Sequence, residues 1–252
     1  MGIDLAAVLR VPGVVAAASG RSDGNLGFSR APDPAAVREA RRRFLGGLGL
    51  DAGAAAAVRQ VHGARVLRAG PGDRGRGGLD PALSLGEGDG IVTAERGLPL
   101  LALAADCCVV ALATADGRAA GVVHAGWRGA LAGAPAAGVA ALREEAGDAG
   151  AAVRAALGPA AGPCCYEVGE EVREDFRGRH GARSGAWFRA GPRGRPHLDL
   201  PAAVGEGLRE AGVEPPVAGP CTICGAGWFS HRRGDGGRQA VVVALGGGDV
   251  RN

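Results

Sequence analysis

The stretch LPLLALAADCCVVALATADGRAAGVVHAGWRGALAG, residues 98–133, holds two apolar runs around which the rest of the chain is organised. The first run contains Asp106-Cys107-Cys108, and the second leads into His124. Asp116-Gly117 lies between them, and an Asp-Gly pair in this setting predicts a β-hairpin with a two-residue turn. Reactive side chains therefore lie inside predicted strands, where apolar residues are the norm.

The register of this hairpin decides which cysteine can meet His124. A two-residue turn places His124 opposite Val109, so Cys107 shares the face of His124, with Cβ atoms roughly 7 Å apart or less. One zinc ion can bridge such a pair, because Zn–S and Zn–N bonds measure about 2.3 Å and 2.0–2.1 Å. A three-residue loop would put Cys108 opposite His124 instead. A buried free cysteine beside a hydrogen-bonded histidine would leave the same pattern, so the hairpin alone leaves the metal open.

The composition excludes several classes of function. The chain has 252 residues, 46% of them hydrophobic, which is enough for one large domain or two small ones. All 29 basic residues are arginine, so a Schiff-base lysine and a P-loop lysine are excluded. The net charge is only +3, no basic tract or aromatic-rich stripe indicates nucleic-acid binding, and no apolar stretch is long enough to span a membrane. Neither nucleic acid nor a membrane is an expected partner, and the oligomeric state stays open.

The six cysteines indicate a reducing compartment. Two adjacent pairs do not resemble a disulfide framework, and the N-terminal residues lack the basic start and unbroken apolar core of a signal peptide. We therefore expect reduced thiols and a cytoplasmic protein. Cys221-x-x-Cys224 is half of a structural zinc motif, but such a site needs two further ligands and the chain has no second C-x-x-C. The sequence therefore disfavours a zinc site there.

Strand and helix signals alternate irregularly, which predicts α/β layering around mixed sheets. Asp33 and Pro34 are typical of a helix start, and the glycines at 46, 47 and 49 end that helix. Its basic run, which includes Arg41, is interpreted as a solvated face. Further helices are predicted at about 130–145, 170–176 and 198–212, and strands at 14–18, 56–62, 64–67, 88–93 and 239–245. Residues 151–157 fit a strand or a short helix, and residues 178–196 are expected to form a mobile loop.

Six motifs in order resemble the YfiH family, also called the laccase-domain or multicopper polyphenol oxidoreductase family. They are RQVHG (59–63), GDG (88–90), ADC (105–107), HAGWRG (124–129), GP with CYEVG (158–159 and 165–169) and FS with RR (229–230 and 232–233). The resemblance covers nearly the whole chain, and HAGWRG after ADC is highly specific. It implies one α/β domain over residues 1–252, with mixed β-sheets layered with helices, similar in topology to the catalytic domain of cytotoxic necrotizing factor.

The resemblance also implies a zinc site made by His62, Cys107 and His124. It selects Cys107 over Cys108, and copper is the other metal with which the family is described. Two histidines and one thiolate leave the fourth position of a tetrahedral ion open, which is typical of a catalytic site. Zinc in such a site lowers the pKa of a bound water to about 7, as hydrolytic deamination requires. We therefore expect close to one zinc ion per chain.

Family members are credited with phosphorolysis of adenosine, inosine and methylthioadenosine and with deamination of adenosine. Purine nucleosides and phosphate are thus the expected substrates. Cys107 and His124 are the expected catalytic residues, with Asp106 as a general base or as an orienter of the thiolate. Alternation along the strand places Asp106 on the face opposite Cys107, which weakens the base role. Arginine forks suit phosphate, and the candidate substrate-binding residues are Arg41, Arg128 and Arg232.

The sequence departs from the family pattern in several places. Val109 stands where a proline is usual, and Ala40 stands where an asparagine usually precedes the arginine. His197 and His231 occupy positions that are usually tyrosine, and we interpret both as structural or supporting residues rather than metal ligands. None of these departures affects the three candidate metal ligands.

Two other functions stay open at the level of the sequence. A copper-dependent polyphenol oxidase would need a multicopper cluster, for which five histidines are few. A metal-free hydrolase would use Cys107 as nucleophile and His124 as its base to cleave an amide, including one in a peptidoglycan precursor, since family members are also assigned an editing role there.

Overall fold

The computed structural model of the chain describes residues 2–29 and 31–246, which form two five-stranded β-sheets and a two-stranded one. The strands in chain order are β1 (Ile3–Asp4), β2 (Val14–Ala18), β3 (Ala56–Ala57), β4 (Val66–Arg68), β5 (Gly90–Thr93), β6 (Leu100–Ala104), β7 (Cys108–Thr114), β8 (Ala120–Ala125), β9 (Val153–Leu157), β10 (Phe188–Ala190), β11 (Pro196–Leu198) and β12 (Gln239–Leu245). The first sheet has the order β1-β2-β12-β6-β3, the second has the order β4-β5-β8-β7-β9, and β10 pairs with β11. Parallel pairs β3–β6 and β4–β5 occur beside antiparallel ones, so the sheets are mixed as predicted.

The helices in chain order are α1 (Ala6–Leu9), α2 (Pro34–Gly47), α3 (Trp127–Ala132), α4 (Ala134–Glu145), α5 (Glu170–His180) and α6 (Leu200–Glu210). Helices α2, α4 and α6 cover the outer faces of the two large sheets, whereas Leu9 of α1 packs into the layer between them. Leu45 of α2 packs in one cluster with Leu101 of the first sheet, whereas Leu142 of α4 and Leu208 of α6 pack with Leu112 of the second sheet. The chain is therefore layered helix, sheet, sheet, helix.

The space between the two sheets is filled by small and branched side chains. Val109 and Ala111 of β7 lie there with Val241 of β12, whereas Cys108 and Val110 point to the helical side of the second sheet. This division follows from the alternation of side chains along a strand. Cys107, just before β7, borders the inter-sheet layer, so the face predicted for it is confirmed.

The central hairpin has the predicted register but a longer turn. Val109 pairs with His124, as the sequence predicts. The turn is a four-residue loop, 115–118, because Thr114 and Ala119 still bond across it and the Thr114 hydroxyl accepts the amide of Arg118. A four-residue loop centred on Asp116-Gly117 has the same register as a two-residue turn, so the pairing survives the error in turn type.

Several element boundaries were predicted correctly. The strands 14–18 and 239–245 have the predicted bounds, and residues 151–157 contain strand β9. Asp33 caps α2 by accepting hydrogen bonds from the amides of Ala35 and Ala36. The helix predicted at 198–212 is α6, capped by Asp199.

Other boundaries were predicted wrongly for identifiable reasons. The strand expected at 56–62 ends at Ala57, because the amides of residues 61–63 bond to a carboxylate rather than to a neighbouring strand. The helix expected at 130–145 starts at Trp127 and is broken at Gly133, whose φ is 85°. Residues 178–196 are largely ordered into the end of α5, a 3₁₀ segment at 181–187 and the hairpin of β10 and β11, anchored by the buried Trp187 against Phe176.

Candidate active site

Three side chains from separate parts of the fold meet at one end of the inter-sheet layer. His62 lies in the irregular segment after β3, Cys107 lies just before β7, and His124 lies in β8. One ligand atom from each lies within 4.8 Å of the others, and the two imidazole rings meet edge to face with centroids 4.9 Å apart. The structure therefore brings together the three residues that the resemblance implied.

Asp89, which the sequence did not single out, holds two of these residues. Its buried carboxylate lies 2.9 Å from Nδ1 of His124 and accepts the backbone amides of His62 at 2.8 Å and Gly63 at 2.6 Å. His62 has a φ of 64°, so the carboxylate fixes a left-handed turn as well as an imidazole. With Nδ1 engaged, Nε2 of His124 faces the cluster, as in metal sites where a carboxylate backs a histidine ligand. The motif GDG was the available signal, because it places a carboxylate at the start of β5.

The electrostatics of the cluster favour a thiolate. Burial raises the pKa of Cys107, but the hydrogen bonds and positive charge of His124 and His62 outweigh it and bring the pKa to about 6. Burial lowers the pKa of His124, yet its bonds to Asp89 and Cys107 raise it to about 9. Cys108 behaves oppositely, because complete burial raises its pKa to about 12. Only Cys107 of the adjacent pair has the character of a ligand or nucleophile.

Gly126 lets the backbone approach the cluster closely. A Cβ atom at this position would lie 2.9 Å from Sγ of Cys107 and 3.3 Å from Cδ2 of His62. Its φ of −72° is ordinary, so the requirement for glycine is steric rather than conformational. The first glycine of HAGWRG therefore belongs to the site through packing.

Asp106 is buried and fully engaged by neighbouring loops. Its carboxylate accepts the hydroxyl of Thr222 at 2.6 Å, the hydroxyl of Ser230 at 3.1 Å and the amide of Arg232 at 2.7 Å, and its own φ is 87°. The carboxylate thus ties residues 222 and 230–232 to the backbone beside Cys107. These contacts favour the orienting role over the general-base role that the sequence left open.

A cleft of about 470 Å³ opens beside the three side chains, within the range of about 300–1,000 Å³ usual for small-molecule sites. Its walls combine apolar with basic residues, among them Phe28, Val58, Leu103, Ala105, Arg41, Arg59 and Arg238. His231 also lines the cleft, whereas His197 is buried with Nδ1 3.0 Å from the carbonyl oxygen of Pro163. His197 thus has the structural role expected of it, and His231 is available to substrate.

Arg41 reaches the cleft with its guanidinium already occupied. The side chain is buried and donates to the carbonyl oxygens of Leu26, Gly77 and Gly78 at 2.5–3.1 Å. Burial lowers its pKa to about 10, so it keeps its charge at neutral pH. The solvated helix face predicted for Arg41 is wrong, because residues near 26 and 77–78 fold over this part of α2.

Arg128 and Arg232 lie apart from the cleft lining, around Tyr166. The exposed guanidinium of Arg128 stacks on Trp127 at 4.3 Å, and that of Arg232 lies 4.8 Å from the ring of Tyr166. Burial raises the pKa of Tyr166 to about 12, with Cys107 adding to the shift and both arginines opposing it. Within residues 2–29 and 31–246, neither arginine forms an ion pair with a carboxylate, although Arg232 donates to the carbonyl oxygen of Glu167 at 2.5 Å. Arg128 is therefore the freer of the two to receive an anion.

The sequence profile of the family described as multi-copper polyphenol oxidoreductase laccase matches residues 6–246. The chain belongs to this laccase-domain family. Purine nucleoside phosphorylase ORF3 of Streptomyces griseus is 38% identical over 210 residues, covering 83% of this chain and 81% of that protein. The predicted family is thus confirmed, and relatives of this chain carry the name of an enzyme.

Solved structures of the laccase-domain family share the fold. YfiH of Bacillus licheniformis superposes with a TM-score of 0.86 at 28% identity over 92% of each chain. YlmD from Geobacillus stearothermophilus superposes with a TM-score of 0.85 at 30% identity, covering 94% of this chain and 93% of that one. These comparisons confirm the predicted α/β fold. Across the part of the chain that the structure describes, no helix has the length and hydropathy needed to cross a membrane.

The donor set of this laccase-domain chain fits a bound transition metal. Two imidazoles and one thiolate converge, a carboxylate orients one imidazole from behind, and a cleft lies on the open side. Zinc takes such mixed nitrogen and sulfur ligands at about 2.0–2.3 Å, and three protein ligands leave a fourth position for water or substrate. The arrangement can therefore hold an ion and present it to a small molecule in the cleft.

Proposed function

We propose that this chain is a zinc-dependent purine nucleoside phosphorylase that also deaminates adenosine. The observation that carries the proposal is the open set of His62, Cys107 and His124 at the wall of a cleft large enough for a nucleoside. The relative named purine nucleoside phosphorylase, similar over most of both chains, supports the choice of substrate. Adenosine, inosine and methylthioadenosine are the proposed nucleosides.

Zinc would be held by Nε2 of His124, by the Cys107 thiolate and by His62. When bound, the ion supplies a Lewis acid at its open position. Asp89 keeps Nδ1 of His124 engaged and holds the backbone that carries His62, so the protein sets the ligand geometry before substrate arrives. Because the site needs a free thiolate, we place the enzyme in a reducing compartment, the cytoplasm.

The remaining side chains bind and orient the substrates. The apolar wall with Phe28 and Leu103 suits the faces of a purine, and His231 reaches the same cleft. Arg128, whose guanidinium meets no carboxylate in the described chain, is our candidate for phosphate, with Arg232 beside Tyr166 as its neighbour. Arg41 shapes the cleft wall, since its guanidinium is spent on three carbonyl oxygens.

The proton on Tyr166 and the carboxylate of Asp106 have distinct proposed tasks. With its pKa raised to about 12, Tyr166 keeps its hydroxyl proton at neutral pH and can donate it to an oxygen of a phosphate bound by the neighbouring arginines. Asp106 orients the segment 230–232, which carries both Arg232 and His231, and moves no proton itself. Cys107 and His124 are the catalytic residues of this proposal as metal ligands.

The decisive experiment supplies purified protein with inosine and phosphate. We expect hypoxanthine and ribose 1-phosphate, and we expect conversion of adenosine to inosine without phosphate. The variant Arg128→Lys keeps the charge but loses the bidentate fork. Phosphorolysis should fall about tenfold to a hundredfold, as the loss of one charge-assisted contact of roughly 1.5–3 kcal/mol implies, while deamination stays nearly unchanged.

Arg42→Lys is the matched control, because Arg42 is exposed on α2 and lies away from the cleft lining. It should leave both reactions unchanged. Equal losses of the two reactions in Arg128→Lys, with a lowered melting temperature, would refute the phosphate role. Absence of phosphate-dependent hypoxanthine release by the unaltered chain would refute the phosphorylase.

A second candidate is a metal-free Cys–His hydrolase acting on an amide, including one in a peptidoglycan precursor. The contacts among Cys107, His124 and Asp89 favour it. In cysteine hydrolases a thiolate likewise contacts an imidazole, and a third group on the far side of that imidazole orients it. A covalent substrate adduct at Cys107 in chelator-treated protein would support it. Full activity that requires added zinc would exclude it.

The family description keeps a copper-dependent polyphenol oxidase as a third candidate. A multicopper cluster needs many histidines, yet the candidate metal groups found in residues 2–29 and 31–246 contain two histidines in all. His180 packs against Phe176 and Trp187 at the end of α5 and is not among the residues that line the cleft. Oxygen-dependent oxidation of a phenol that rises with added copper would establish this activity.

A further inference from the structure

Four further cysteines converge at a second place in the molecule. Cys164 and Cys165 lie in the turn before α5, and Cys221 and Cys224 lie in a turn between α6 and β12. The four Sγ atoms all lie within 4.8 Å of one another, and those of Cys164 and Cys224 are 3.7 Å apart. Cys107 belongs to the active site and Cys108 is buried on the helical side of the second sheet, so this group contains the other four of the six cysteines.

Backbone pairing holds the two cysteine turns side by side. Cys221 forms a parallel bridge with Ala160, and the amide of Thr222 donates to the carbonyl oxygen of Ala160 at 2.9 Å. The amide of Ala160 returns a bond to the carbonyl oxygen of Pro220 at 3.3 Å. The convergence of the four sulfurs is therefore a consequence of the fold and not of side-chain rotamers alone.

The turn 221–224 has the form of a metal-binding C-x-x-C turn. The amides of Cys224, Gly162 and Ile223 donate towards Sγ of Cys221, the Gly162 amide at 3.3 Å. The chain thus supplies hydrogen bonds to a thiolate before any ion is present.

Glycines beside the sulfurs allow this close folding. A Cβ atom at Gly225 would lie 2.6 Å from the carbonyl oxygen of Cys221, so the residue after the C-x-x-C turn must lack one. A Cβ atom at Gly162 would lie 3.2 Å from that of Cys221 and 3.5 Å from Sγ of Cys164. Both turns therefore carry glycine where their backbones come nearest to the sulfur cluster.

Positive charge surrounds the cluster. The guanidinium of Arg189 donates to the carbonyl oxygen of Pro163 at 2.8 Å, and that of Arg233 donates to the carbonyl oxygens of Thr222 and Ile223 at 2.9 and 2.8 Å. Four thiolates around a divalent cation carry a net charge of −2, which two neighbouring arginines offset. Arg233 also pairs with the carboxylate of Asp235 at 2.7 Å, so its charge is shared between that residue and the cluster.

We propose that Cys164, Cys165, Cys221 and Cys224 bind a structural zinc ion in a closed four-thiolate site. Four sulfur ligands fill a tetrahedral zinc ion, so this site leaves no position for substrate. Binding releases the thiol protons and involves no change of oxidation state. The chain then carries two zinc ions, rather than the single ion expected from the sequence.

The site would clamp a segment that reaches the active site. Thr222, between the two cysteines of the C-x-x-C turn, donates its hydroxyl to Asp106, the residue before Cys107. Zinc at the four cysteines thus fixes the loop that orients Asp106 while taking no part in the chemistry. This inference does not depend on the proposed substrate, since it concerns only metal content and stability.

Metal analysis of the full chain, purified under reducing conditions, tests the proposal. We expect two zinc ions per chain, and one in each of Cys221→Ser and Cys224→Ser. Cys108→Ser is the matched control, because Cys108 lies in neither cluster, and it should keep two. The double variant His62→Ala with His124→Ala should keep one ion, whose X-ray absorption spectrum should show four sulfur neighbours at about 2.3 Å and no nitrogen.

A folding defect in a cysteine variant would not obscure the result, because the double histidine variant keeps all four cysteines. Its X-ray absorption spectrum reports on their metal site directly. A zinc content that is the same in the unaltered chain and in Cys221→Ser would overturn the proposal. Nitrogen or oxygen neighbours in that spectrum, iron in place of zinc, or disulfides among the four cysteines in reduced protein would overturn it as well.

Discussion

The two sulfur-containing clusters of this chain are built in opposite ways. The first cluster lies at one end of the second sheet: Cys107 just before β7, His124 near the end of β8, and His62 in the loop after β3. The buried carboxylate of Asp89 contacts it from one side, and a cleft opens on the other. The four-cysteine cluster is built from two surface turns, with two of its cysteines exposed. The first set mixes nitrogen and sulfur and has three members, whereas the second is all sulfur and has four.

This difference separates chemistry from mechanical support. An ion held by three protein ligands keeps a position for substrate, but an ion held by four thiolates does not. Strands and the Asp89 carboxylate position the first cluster, while the second joins two turns that are paired only through a short backbone bridge at Ala160 and Cys221. Substitutions in the first cluster should therefore change activity, and substitutions in the second should change stability.

The largest contrast is expected between Cys107→Ala and Cys221→Ser. Loss of a residue that orients a metal ligand typically costs about 10–100-fold in activity. Cys107→Ala removes a ligand itself, so it should reduce phosphorolysis by more than about 100-fold. Cys221→Ser should keep activity at 25 °C within a few-fold but lower the melting temperature by roughly 6–12 °C, for a loss of about 3 kcal/mol in the free energy of unfolding. Paired rate and calorimetric measurements check both. An active Cys107→Ala, or an inactive and thermally unchanged Cys221→Ser, would break the contrast.

A smaller effect is expected from Asp89→Asn. The amide keeps the size of the side chain but loses the negative charge that faces His124. Zinc affinity of the histidine site should fall about 10–100-fold, as is usual for carboxylates behind histidine ligands. Competition with a chromophoric chelator measures this, and the ion at the four cysteines should remain as the internal control. An equal loss of affinity for the ions at both sites would mean that Asp89 supports the whole fold.

The smallest effect is expected from a matched pair of glycine substitutions. Gly126→Ala forces a methyl group against Sγ of Cys107 at 2.9 Å, whereas Gly162→Ala meets the second cluster at 3.2 Å or more. Overpacking of this kind costs about 1–3 kcal/mol, and the shorter contact should lie at the upper end. Gly126→Ala should shift the zinc affinity of the histidine site, and Gly162→Ala should leave it unchanged. Chelator titrations of both variants decide the matter.

The two clusters also differ in how far the sequence predicted them. Cys107 and His124 lie on one hairpin, so alternation and register suffice to place them on one face, and the family resemblance added His62. The four cysteines depend on the bridge between Ala160 and Cys221, a contact between distant residues that no local pattern encodes. The C-x-x-C turn is visible in the sequence, where a second C-x-x-C would be the expected source of two further ligands. The structure instead brings the adjacent pair Cys164-Cys165 to it.

Residues that act through the backbone were hardest to predict. Asp89 works by accepting amides of residues 61–63, and Arg41 works by donating to carbonyl oxygens at 26 and 77–78. Their partners are main-chain groups, which every residue possesses, so no partner side chain marks them in the sequence. The capping residue Asp33 was predictable because its amide partners are two and three residues away.

The left-handed turn at His62 has a consequence for how this protein can be made more stable. Outside glycine, φ is positive at only three of the residues the structure describes, and two of them, His62 and Asp106, belong to the candidate active site. Such conformations store roughly 1–3 kcal/mol each. In metal-free protein, where no bound ion stabilises the folded state, His62→Gly would relax the turn and raise thermal tolerance while removing a ligand. Selection for heat resistance alone would therefore drive this protein towards an inactive scaffold, and screens for hardier variants should score turnover in the same step.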